Sequence, residues 1–74
     1  MAVYYFRVNI PYLSFEQLYR VPTTMVKVQC KNGQSLQLPA QRFKPFLSQL
    51  GIRGRFELQL GENNQFITML QIAS

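Results

Sequence analysis

The chain has 74 residues, 47% of them hydrophobic and 15% charged, with eight lysines and arginines against three acids and a net charge of +5. That length holds a single domain near the size where one core just suffices, and that balance excludes an intrinsically disordered chain. A single cysteine, Cys30, excludes an intramolecular disulfide, and the lack of histidine removes the usual general base near neutral pH.

Residues 3–10 alternate, with Tyr4, Phe6, Val8 and Ile10 on one side and Tyr5, Arg7 and Asn9 on the other. That period is the mark of a half-buried strand. Pro11 ends it. Ser14 is expected to open a short helix, because Gln17 three residues on completes a capping box and Leu13 and Leu18 take the positions of a hydrophobic staple. Phe15, Leu18 and Tyr19 would face the core. Val21-Pro22 would stop the helix, since the residue before a proline avoids the helical region.

Residues 24–37 read as a hairpin, and its register can be argued. A two-residue Asn32-Gly33 loop would set Val28 opposite Gln37 and break the apolar face. A three-residue loop, Lys31-Asn32-Gly33, sets Val28 opposite Leu36 and Val26 opposite Leu38, with Gly33 in the left-handed position of a type I turn and its bulge. The three-residue register is expected, and it leaves Met25, Lys27 and Gln29 outside.

Residues 39–50 hold a turn and a second short helix. Pro45 suits a first helical position, Phe46, Leu47 and Leu50 form an apolar edge, and Gly51 closes the end. Residues 54–60 form a strand with Phe56, Leu58 and Leu60 inward and Arg55, Glu57 and Gln59 outward. Residues 61–64 make a turn. Residues 65–72 form the last strand, whose apolar residues follow two phases: Phe66, Leu70 and Ile72 in one, Ile67 and Met69 in the other. A bulge or a covered outer face would reconcile them. The order strand, helix, two strands, helix, two strands predicts an α+β domain over residues 1–74. Its expected form is a mainly antiparallel five-stranded curled sheet, or a small partly open barrel, with two short helices.

The side chains present argue against catalysis. One cysteine and three scattered carboxylates (Glu16, Glu57 and Glu62) cannot build a zinc site, and Gly51-Ile52-Arg53-Gly54 lacks the lysine and spacing of a phosphate loop. Cys30 falls on an inward position beside Val26 and Val28, where an unpaired thiol behaves as a small hydrophobe. No enzyme, metal or cofactor is expected.

The positive charge falls in two groups. Arg42, Lys44, Arg53 and Arg55 lie among Phe43, Phe46 and Phe56. If the Pro45 segment folds beside the strand entrance, the four cations converge. The alternative is that their stems pack over aromatic rings. Tyr5, Arg7, Lys27 and Arg55 could share the outer sheet face and offer charge for phosphate with a ring for stacking; the alternative there is an ordinary solvated face.

Tyr4-Tyr5-Phe6, Leu38-Pro39-Ala40, Pro45-Phe46-Leu47, and Gly51-Ile52 followed by Gly54-Arg55-Phe56 occur in an order and spacing that resembles a family of short bacterial proteins, domain-of-unknown-function family 2835. The resemblance spans nearly the whole chain. It departs at Lys31-Asn32, where that family usually has acidic residues, and at Leu70, where a polar residue is more typical. It implies a stand-alone cytoplasmic bacterial protein and brings no activity with it. A cytoplasmic setting is also expected from the single cysteine and the lack of a leader-like or long apolar run.

The expected function is that of a small non-enzymatic binding module whose basic surface contacts nucleic acid, a nucleic-acid-associated complex or an acidic protein, without a membrane. The alternative is a protein-interaction or self-assembling module, a homo-oligomer included, that buries exposed Met25, Ile67 or Met69.

Overall fold

The computed structural model describes residues 2–21 and 23–73. Strand β1 (Ala2–Ile10) leads into helix α1 (Tyr12–Tyr19), then the hairpin β2 (Met25–Gln29) and β3 (Ser35–Pro39). A 3-10 segment (Ala40–Phe46) precedes β4 (Ile52–Leu60), and a short 3-10 turn (Glu62–Asn64) joins it to β5 (Phe66–Ala73). The order of elements follows the sequence expectation, but the five strands do not form one sheet. β1, β4 and β5 make a three-stranded antiparallel sheet with β4 in the centre, and β2 and β3 make a separate two-stranded one. Among the described residues the two meet at a single antiparallel bridge, Phe6 to Cys30, and form no closed barrel. Alternation fixes which face a side chain takes but not which strand lies beside it, so the split could not be read from periodicity.

The hairpin register is the one that the three-residue loop demands: Val28 pairs with Leu36 and Val26 with Leu38. The Gly33 N–H donates to the Cys30 carbonyl at 2.9 Å, and Gly33 takes φ +91°, a region that a side chain disfavours. The helix differs from its expected start. Pro11 is the residue at its N-terminal boundary, its carbonyl accepting the Phe15 N–H at 2.9 Å, and no side chain caps the end. Ser14 therefore lies inside the first turn, and Leu13 is exposed instead of closing a staple. Phe15 is fully buried, with Leu18 and Tyr19 packed beside it as expected. Pro22, the expected stop, lies outside the described residues.

Pro45 does not start a helix. The 3-10 segment begins five residues earlier, at Ala40, and Pro45 lies near its end. Three residues per turn bring positions i and i+3 into line, so Ala40, Phe43 and Phe46 form one inward stripe. Leu50 is exposed, in the turn where Ser48 and Gly51 exchange backbone hydrogen bonds at 3.0 Å.

Phe56 is the centre of the core. Its ring stacks on Phe6 at 5.8 Å and meets Phe43 and Phe46 edge-on at 5.9 and 5.1 Å. Such geometry adds to the area buried, because ring edges are positive and ring faces negative. The last strand resolves its two phases with two bulges. Leu60 pairs with Phe66 but Gln59 with Thr68, and Phe56 pairs with Gln71 but Arg55 with Ala73, so Ile67 and Ile72 are each an extra residue. Phe66 and Met69 thereby both reach the core side, while Ile67, Leu70 and Ile72 stay exposed.

Candidate functional site

Burying Tyr4, Phe6 and Val8 of β1 and Phe56 and Leu58 of β4 turns the intervening residues outward. The β1–β4 register then sets Tyr5 opposite Glu57, Arg7 opposite Arg55 and Asn9 opposite Arg53. Glu57 is held on both oxygens: the Tyr5 hydroxyl donates to Oε1 at 3.1 Å and Gln59 Nε2 donates to Oε2 at 2.9 Å. That bond, and next the carboxylate charge, raise the Tyr5 hydroxyl above its ordinary value of 10.0. Among the described residues the one ion pair joins Arg20 to Glu16 on α1 at 2.9 Å. Arg7 and Arg55 thus stand side by side without a carboxylate partner.

The edge of β1 completes the site. Lys31 donates its backbone N–H to the Tyr5 carbonyl at 2.9 Å, one residue beyond the Phe6–Cys30 bridge. The end of the hairpin is therefore fixed against the sheet and makes the wall of an open bay of about 620 Å³. Tyr5, Arg7, Lys31, Arg55, Gln29 and Ile72 supply its outward lining, so it holds three cations and no carboxylate. A smaller hollow of about 290 Å³, lined by Arg7, Asn9, Arg53 and Arg55 among others, shares Arg7 and Arg55 with it. The two form a continuous basic strip.

The residues singled out from the sequence divide among different surroundings. Arg42 lies over the Phe66 ring, 3.9 Å from its centroid, and Lys44 lies over Tyr19 at 4.8 Å. These two are cation–π contacts that cover the core, the alternative that the sequence left open. Arg53 and Arg55 instead join Arg7 and Tyr5 on the outer face. Lys27 is exposed on β2 opposite Gln37 and does not line the bay. Lys31, Gln29 and Ile72 were not found from the sequence. Their position depends on the contact between β1 and the hairpin end, which no local pattern in the sequence signals. Cys30 is buried behind the bay, and burial pushes its thiol up, away from the reactive thiolate.

Fold and site together define a small α+β domain with one covered sheet face and one open basic face. Over residues 2–72 the chain matches the family described as protein of unknown function (DUF2835), and it belongs to that family. Comparison with the curated proteins and with the solved structures gave no match.

Proposed function

We propose that this protein is a non-enzymatic binding module that contacts nucleic acid through the outer face of its three-stranded sheet. The observation that carries the proposal is the Arg7–Arg55 pair. Like charges directly opposite on neighbouring strands destabilise a sheet, and this pair keeps no acid beside it although Glu57 is two residues from Arg55 on the same face. An anion between the two guanidinium groups removes the repulsion, and phosphate accepts from both in the geometry that arginine favours. Lys31 and Arg53 extend the positive field at either side.

Fluorescence anisotropy with single- and double-stranded oligonucleotides over a salt series tests this reading. Binding is expected at low salt, with log affinity falling linearly against log salt. Absence of binding at low salt would rule it out.

A second reading rests on a separate observation. Val3, Ile67, Leu70 and Ile72 are 42–51% exposed around the basic strip, an apolar margin suited to a protein partner or a second copy. Met25, at the hairpin, is exposed as expected, whereas Met69 is buried. Light scattering at high concentration checks self-assembly, and a strict monomer excludes it.

The described residues contain no helix long and apolar enough to cross a membrane.

A further inference from the structure

The nucleic-acid reading leaves open which form is bound, and the bay itself discriminates. We infer that the bay takes one nucleotide unit of a single strand, its phosphate between Arg7, Arg55 and Lys31 and its base on the Tyr5 ring. The inference rests on the proposed function and adds the ligand's form and its direction across the site.

Three features carry it. The first is size: about 620 Å³ lies within the range of about 300–1,000 Å³ that small-molecule sites occupy, and one nucleotide falls in that class. The wall made by Gln29 and Lys31 makes the bay concave, so a nucleotide enters it on edge, whereas the rounded side of a duplex meets only the rim. The second is the ring. Tyr5 is 42% exposed, and its hydroxyl is tied to Glu57, so the ring is held in place on an open sheet face. A held ring loses little conformational entropy when a base stacks on it, and stacking requires a base that is not already paired within a helix. Ile72, an extra residue of the β5 bulge, brings an apolar side chain to the same bay.

The third feature is polarity. Along β1 and β4 the pairs run Tyr5–Glu57, Arg7–Arg55 and Asn9–Arg53, with side chains on one face spaced by roughly 7 Å. Along these two strands the carboxylate therefore lies at the ring end and the three arginines at the other, while Lys31 stands beside Tyr5 across the edge of β1. Glu57 repels a phosphate from the Tyr5 end and the arginines attract it to theirs, so the base and phosphate of one unit have separate places. The shared Arg7 and Arg55 lead the next phosphate towards Arg53 in the adjoining hollow.

Anisotropy at low salt with a labelled oligonucleotide, its duplex, and labelled polyglutamate of matched charge tests the inference on the whole chain. The variants are Tyr5→Leu, Arg55→Ala and, outside the lining of the bay, Lys27→Ala. The wild type is expected to bind the single strand about tenfold more tightly than the duplex or polyglutamate. Tyr5→Leu is expected to lose about tenfold for the single strand and little for the duplex, since the stacking ring is removed while the arginines remain. Arg55→Ala is expected to weaken both nucleic acids and to lower the salt slope by about one unit, and Lys27→Ala to change the single-strand preference little. Equal binding of single strand and duplex, with Tyr5→Leu unchanged, overturns the inference while the phosphate reading stands. Polyglutamate binding as tightly as the single strand overturns it in favour of an acidic protein. No binding of any nucleic acid overturns both readings. Circular dichroism of each variant confirms the fold, and Tyr5→Phe, which keeps the ring, separates loss of stacking from loss of the Glu57 bond.

Discussion

Tyr5 and Glu57 are register partners on β1 and β4, and the Tyr5 hydroxyl donates to the Glu57 carboxylate across 3.1 Å. The bond exists only with the phenol protonated, so the folded protein holds Tyr5 above 10.0. The sign follows from linkage: the bond's contribution to stability is complete below the ordinary phenol value and is lost as pH rises through the raised folded one. In Glu57→Gln, Tyr5 should titrate closer to 10.0. An NMR titration of the tyrosine ring carbons, with Tyr5→Phe for assignment, reads this directly, and an unmoved Tyr5 curve would refute it.

Arg55 and Arg42 should separate stability from binding. Replacing Arg55 by threonine removes a like-charge pair, so stability in urea should hold or rise by about 0.2–1 kcal/mol while oligonucleotide affinity falls. Arg42→Ala removes the contact over Phe66 and should cost about 0.5–1 kcal/mol with affinity little changed. Loss of affinity in Arg42→Ala equal to that in Arg55→Thr would place the binding surface elsewhere.

Gly51 carries the turn that backs onto the β1–α1 junction. A Cβ there would overlap the Ile10 carbonyl oxygen and stand 2.7 Å from Pro11 C and Tyr12 N, at φ +106°. The three nearest atoms are all backbone, so no flexible side-chain end can yield there. Gly51→Ala should cost more than about 4 kcal/mol, the range reserved for severe core or backbone defects. A melting curve close to that of the wild type would contradict this contact.

Phe56→Ala should be the most damaging truncation in the core, since its ring touches three others. A loss of about 3–5 kcal/mol is expected, against total stabilities of about 5–15 kcal/mol for ordinary domains. The melting midpoint should fall well below that of the wild type, visible as an earlier loss of near-ultraviolet dichroism on heating. Phe56→Leu, which keeps most of the volume, should fold.

The sequence was most informative where an integer decides the answer. Moving the hairpin loop by one residue exchanges inside for outside along Val26, Val28, Leu36 and Leu38, so only one register buries them all. Residues 40–46 carry two competing patterns. Ala40, Phe43 and Phe46 repeat every three residues, the period of a 3-10 turn, but Pro45 drew attention as a helix start. The capping box at Ser14 was a valid local pattern, overruled because the helix is already under way when the chain leaves Pro11. Of the candidate site, Tyr5, Arg7 and Arg55 follow from alternation, which turns them outward, and Arg53 from its place at the entrance of the strand. Their pairing was not legible, because it depends on two strands far apart in the chain choosing each other. Lys31 was missed for the same reason. Arg42 and Lys44 cover rings instead: a cation near aromatic residues in sequence is as ready to cover them as to face a ligand.

The two bulges in β5 bear on how the protein remains discrete. β5 lies at the edge of its sheet and contains neither charge nor proline, the features that commonly stop a bare edge from recruiting another strand. Its run Phe66-Ile67-Thr68-Met69-Leu70 has the uncharged, β-prone composition of segments that stack into fibrils. The extra residues at Ile67 and Ile72 put the backbone donors and acceptors out of even step, so an incoming strand finds no straight ladder to extend. Deleting Ile67 would bring Phe66 to Gln71 into even step and convert that stretch of a protected margin into a template for fibre growth.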